Sequence, residues 1–150
     1  MRSMMLFRVY LLVVVCAVVW PTPTVRSVCP AGSAGWDTCD ECEPGHFQSQ
    51  DGQTMCEACR PGTYAAGSGS IACTLSPCGT YVPSAGSSLP TLCPEGSFGV
   101  IVGGQSAATS CEQCGAGSYS VQMAASSCAL CSAGFNQSTP GSTTCGPCPA

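Results

Sequence analysis

The chain is 150 residues long, holds fifteen cysteines, and is only 8% charged, with a formal net charge of −4. Nucleic acid is excluded as a partner, because phosphate contacts need a surplus of Lys and Arg that this composition lacks. After residue 27 the large aliphatic residues are too few, and too dispersed among Gly, Ser, Thr and Pro, to enclose one core, so crosslinks must offset the chain entropy that burial cannot.

In chain order, residues 1–27 read as a secretory leader: Arg2 and Arg8 flank the start of an apolar run from Val9 to Trp20, and Val25, Arg26 and Ser27 supply a cleavage region. The run is short for a bilayer span, which makes a membrane anchor the lesser alternative. Removing the leader removes Cys16 and leaves fourteen cysteines, an even number suited to a fully oxidised framework. The remainder carries Arg60, no Lys and eight acids, a formal charge of −7. Residues 28–38, with Cys29, form a lead-in.

From residue 39 a seventeen-residue beat sets in. Cys39, Cys56 and Cys73 keep it, as do Cys42 and Cys59, the glycines Gly45, Gly62, Gly79 and Gly96, and the rings Phe47, Tyr64, Tyr81 and Phe98. The unit is C-x2-C-x2-G-x-[F/Y]-x8-C, with the last Cys opening the next unit. Turn dipeptides such as Pro44-Gly45 and Pro61-Gly62 precede the ring, which then starts a short strand. Gln50-Asp51-Gly52, Ser84-Ala85-Gly86 and Thr139-Pro140-Gly141 mark the second turn of their units. The fold class expected is therefore small and disulfide-rich: an elongated tandem array of short two-stranded β units with little helix, each unit touching mainly its neighbours. Each ring is expected to lie across a disulfide as a miniature core.

Residues 39–99 hold four repeats, residues 100–110 an insertion, and residues 111–150 two more repeats and the start of a seventh. The later repeats run through Cys111, Cys114, Gly117 and Tyr119, then Cys128, Cys131 and Gly134. Phe135 comes one place early. Ser76 and Pro90 stand where the beat calls for cysteine, and the joint there is expected to be the soft point of the array. The chain stops at Cys145-Gly-Pro-Cys148-Pro-Ala150, two residues into a further loop by the template. It is expected to be a piece of a longer protein, with room for membrane anchorage through a missing carboxy-terminal part.

Spacing leaves two pairing schemes open. In one, the second Cys of a unit joins the first of the next: Cys42–Cys56, Cys59–Cys73, Cys93–Cys111, Cys114–Cys128 and Cys131–Cys145, with Cys29–Cys39 at the amino end. Cys78 and Cys148 then have no assigned partner, although Cys93 is within sequence reach of Cys78. In the other, alternate cysteines cross, as Cys39–Cys56 with Cys42–Cys59 and Cys111–Cys128 with Cys114–Cys131.

The runs Cys42-Glu-Pro-Gly45-His-Phe47, Cys59-Arg-Pro-Gly62-Thr-Tyr64, Cys93-Pro-Glu-Gly96-Ser-Phe98 and Cys114-Gly-Ala-Gly117-Ser-Tyr119 resemble the ephrin-receptor-like cysteine-rich repeats of the growth-factor-receptor cysteine-rich class. The same loop is similar to the first module of tumour-necrosis-factor-receptor cysteine-rich domains, in which the bracketing cysteines pair. That resemblance, which spans about residues 39–150, implies the first scheme. It implies no catalytic residues and no cofactor.

Other chemistries are weaker. Cys39, Cys42, Cys56 and Cys59 have the spacing of a four-thiolate zinc site, as do Cys111, Cys114, Cys128 and Cys131, but thiolates behind a secretory leader pair before they meet metal. A Cys-x2-Cys redox catalyst needs a βαβ scaffold or a nearby cation. His46 reads as a surface imidazole in a turn, and Asp37, Asp40, Glu41 and Glu43 as a solvated acidic face rather than a calcium site. Asn136-Gln137-Ser138 is a glycosylation acceptor in an expected loop. The reading is a secreted or cell-surface, non-enzymatic repeat protein, a spacer or a binding module for an extracellular protein or glycan. The alternatives are a fragment of a receptor's ligand-binding ectodomain and, from another class, a zinc-binding protein.

Overall fold

The computed structural model describes residues 28–149; the leader read over residues 1–27 lies outside them. Fourteen two-residue strands pair as seven antiparallel hairpins: β1 (Ser33–Ala34) with β2 (Asp40–Glu41), β3 (His46–Phe47) with β4 (Glu57–Ala58), β5 (Thr63–Tyr64) with β6 (Thr74–Leu75), β7 (Thr80–Tyr81) with β8 (Thr91–Leu92), β9 (Ser97–Phe98) with β10 (Glu112–Gln113), β11 (Ser118–Tyr119) with β12 (Ala129–Leu130), and β13 (Phe135–Asn136) with β14 (Gly146–Pro147). The only helix among the described residues is α1 (Ala107–Ser110), one turn capped by Ser106. This is a small disulfide-rich tandem array. Among the described residues no helix is long and apolar enough to cross a membrane.

Each hairpin begins at a tight turn whose form follows from its residues. The linking glycine takes a positive φ, +88° at Gly45, which a side chain would strain. The Ser or Thr after it closes the turn: the hydroxyls of Ser33, Thr63, Thr80, Ser97 and Ser118 donate to the carbonyl three residues back at 2.5–2.9 Å. Residues 28–38 are built the same way. Cys29-Pro-Ala-Gly32-Ser33-Ala34 is a first hairpin start with Ala34 in place of the ring, and its loop is closed by Cys29–Cys39 at a separation of 10 rather than 14.

The buried positions are not the rings, which are half-buried in most hairpins and exposed at Phe135. They are the second Cys of most units and the third residue after the linking glycine, which directly follows the ring except in the last hairpin. Cys42, Cys59, Cys93 and Cys114 are at most 1% exposed, and Gln48, Ala65, Val82, Ser120 and Gln137 at most 8%. The buried glutamine amides are satisfied by backbone, Gln48 to Met55 and Gln137 to Thr139. Except in β13, a strand of two residues leaves the ring on its last position, so the side chain that follows turns into the stack.

Contacts run further than to the next unit. The linking-glycine amide donates to the carbonyl of the buried position one hairpin on, Gly32 to Gln48, Gly45 to Ala65, Gly62 to Val82, Gly96 to Ser120 and Gly117 to Gln137, at 2.7–2.8 Å. The loop of that next hairpin returns a bond to the second-Cys carbonyl, Gly69 to Cys42, Gly86 to Cys59 and Gly141 to Cys114, at 2.8–2.9 Å. The loop two hairpins on also closes over the linking glycine: a Cβ at Gly45 would stand 2.1 Å from the Gly86 carbonyl oxygen. The nearest-neighbour expectation is therefore corrected, because the extended loops are long enough to reach two units back.

Candidate functional site

The cysteines pair as Cys29–Cys39, Cys42–Cys56, Cys59–Cys73, Cys93–Cys111, Cys114–Cys128 and Cys131–Cys145, with Cα separations of 5.2–5.8 Å. The crossed pairs are not formed. Every cysteine of the two zinc-spaced sets is in a disulfide, so neither set offers thiolates. Cys78 and Cys148 are free. Cys78 sits just before Gly79 on the linking turn, its thiol 3.4 Å from the Val100 carbonyl oxygen, while Cys93 is committed to Cys111.

The hairpin lacking a bridge, β7–β8, keeps the register of the others, Thr80 opposite Leu92 and Tyr81 opposite Thr91. Ser76 occupies the buried cystine position at 0% exposure and its hydroxyl donates to the Gly104 carbonyl at 3.4 Å. Val82, the bulkiest fully buried side chain, fills the same hairpin. Gly104 belongs to the insertion, and Val82 donates its amide to the Gly104 carbonyl at 2.8 Å. The insertion and the missing bridge, read from sequence as two separate irregularities, are thus packed together.

Two open grooves carry side-chain chemistry. One, of about 310 Å³, lies over the first two hairpins and is lined by Asp40, Glu41, Glu43, His46 and Met55. His46 is on β3 rather than in a turn, and it is half-buried, with Nδ1 enclosed and without a partner; its ring lies beside Gly86 of the loop two hairpins on. Glu41 accepts from the Ser68 hydroxyl at 3.0 Å, so part of the acidic face joins hairpins instead of only meeting solvent. No group of three or more His, Cys, Asp or Glu among the described residues is placed to hold a metal ion. The other groove, of about 360 Å³, lies at the last two hairpins between Tyr119, Val121 and Phe135. The one-residue shift of Phe135 puts it opposite Pro147 and leaves Asn136 at the place the rings hold elsewhere. Asn136 is therefore on strand β13, not in a loop, and it is exposed.

Sequence reasoning missed the buried position after the ring. Its occupants, Gln, Ala, Val, Gly, Ser and Gln, share no hydropathy, and only their common place, the third residue after the linking glycine, marks them. No curated protein gives a significant match to this chain. Residues 31–72, which span the first loop, the second hairpin and most of the third, match the family model described as tyrosine-protein kinase ephrin type A/B receptor-like. That stretch, which contains the whole Cys42–Cys56 bridge, is similar to an ephrin-receptor-like cysteine-rich repeat.

Proposed function

We propose that the chain acts outside the cell as a non-enzymatic cysteine-rich module that presents contact surface to another protein. The observation carrying this reading is the cystine ladder: six of seven hairpins hold a bridge, and such bridges persist only in oxidising compartments. The ephrin-receptor-like stretch supports the same compartment and a role without catalysis. Exposed apolar side chains support contact over mere spacing, among them Leu75 at 57%, Leu89 at 69% and Leu130 at 80% exposure. Passage through a secretory pathway also offers Asn136 to glycosylation, on an exposed strand position.

Expression of the whole chain in secretory cells tests this. The expected product appears in the medium, starts near residue 28, keeps twelve cysteines protected from alkylation, and loses mass on amidase treatment unless Asn136 is replaced by Gln. A chain held in the cytosol with alkylatable cysteines would sink the reading.

A further inference from the structure

In the first four hairpins the second residue of each returning strand holds the same place in the register: Glu41 opposite Ser33, Ala58 opposite His46, Leu75 opposite Thr63 and Leu92 opposite Thr80. All four are exposed. They share one side of the stack, because their side chains meet the same feature. Glu41 lies against Gly69, Ala58 against Gly86 and Leu75 against Gly103, in each case the loop glycine two hairpins on, 3.0–3.9 Å from where its Cβ would stand.

The chemistry of this face changes once along the stack. Six of the eight acids, Asp37, Asp40, Glu41, Glu43, Asp51 and Glu57, fall in the first two hairpins, and all six are exposed. Asp40, Glu41 and Glu57 stand on the returning strands themselves. Between Arg60 and Glu95 the chain has no charged residue. There the face turns apolar: Leu75 and Leu92 are 57% and 45% exposed, and the insertion, which meets Leu75 at Gly103, adds Val100, Ile101 and Val102 at 45–60%.

We propose that this face binds an extended protein segment that carries Lys or Arg at one end and an aliphatic stretch at the other. The two halves of the surface ask for different chemistry, and their order fixes the order in the partner. Burial of the leucines against the aliphatic stretch supplies affinity, while the acids set orientation and speed the encounter. Sulfated glycans and anionic lipid are repelled by the same acids. A second copy of the chain does not fit, since Arg60 is the single Lys or Arg among the described residues and no cationic end is on offer.

This inference deepens the protein-contact reading and rests on it. The test is amide NMR of the oxidised full chain, titrated with a synthetic peptide of three lysines followed by leucine alternating with serine. Saturable shifts are expected at the Glu41, Glu57, Leu75 and Leu92 amides. Leu75→Thr combined with Leu92→Thr should weaken binding about tenfold with amide dispersion kept. Asp40→Asn combined with Glu57→Gln should weaken it at low salt and make no difference at about 0.5 M salt, where surface charges are screened. Two peptide controls hold even if a variant fails to fold: the lysines replaced by glutamates, and the leucines replaced by serines, should each lose binding. Lack of saturable shifts at these four amides up to the solubility limit of the peptide overturns the proposal. So does equal affinity for the leucine-free peptide, which would reduce the effect to nonspecific attraction of cations by an acidic surface. A secreted, oxidised chain that ignores the peptide defeats only this inference and leaves the extracellular reading standing.

Discussion

Val82 and Ser76 hold the one hairpin that has no bridge, and both are fully buried. Shortening Val82 to Ala removes two methyl groups from a fully buried site, with a destabilisation of about 2 kcal/mol expected by analogy with core truncations. Urea unfolding measures it; a change within error would mean that the insertion alone supports this hairpin. The linking glycines allow a cleaner comparison. Gly45 and Gly117 have nearly the same φ, +88° and +80°, so Ala at either adds the left-handed strain of about 1–2 kcal/mol. Only at Gly45 does the new Cβ meet a neighbour, the Gly86 oxygen at 2.1 Å, which should add about 1–3 kcal/mol of overpacking. Equal losses in the two variants would show that the loop two hairpins on moves aside freely.

At the scale of the hairpin, register is carried by the turn and not by the bridge. Hairpin β7–β8 pairs Thr80 with Leu92 as β5–β6 pairs Thr63 with Leu75, with a bridge in one and none in the other. Ser76→Cys combined with Pro90→Cys should therefore close a seventh disulfide without rearrangement. A loop of that length stabilises by about 3 kcal/mol in the chain-entropy account. Thiol counting before and after oxidation, with the thermal midpoint, checks both parts; two free thiols that persist would place the pair out of bonding geometry. Limited proteolysis bears on the same joint. Residues 100–102 are 45–60% exposed, whereas residue 104 is tied to Val82 and Ser76. The first cut is expected at 100–102, and a first cut between Cys114 and Cys128 would contradict the assignment of this joint as the weak place.

At the scale of the molecule, the fully buried side chains among the described residues are small: one valine, four cysteines and a serine are the largest below 2% exposure. With so little apolar burial the bridges carry stability by restricting the unfolded chain. Reduction should collapse the amide dispersion of the array and remove cooperative thermal unfolding. A reduced chain that still melts cooperatively would show that the backbone ladder between hairpins is enough to hold the stack.

The period of Cys, Gly and ring residues was by itself sufficient to determine a tandem array of two-stranded, disulfide-stapled units, because a covalent bridge and a left-handed glycine are local demands that fall at constant spacing. The lead-in was harder to read as a hairpin, since Ala34 replaces the ring and the Cys29–Cys39 loop is shorter. What only the tertiary structure decided is how the units meet. The third residue after the linking glycine is buried whatever its chemistry, Gln48 and Val82 alike, because backbone bonds to the next hairpin close over it. The Ser76 and Pro90 gap and the insertion near Gly104 come together only when loops reach across hairpins. Backbone contact between units leaves almost no trace in side-chain pattern, and for that reason the stack and its second-neighbour reach had to be seen in three dimensions.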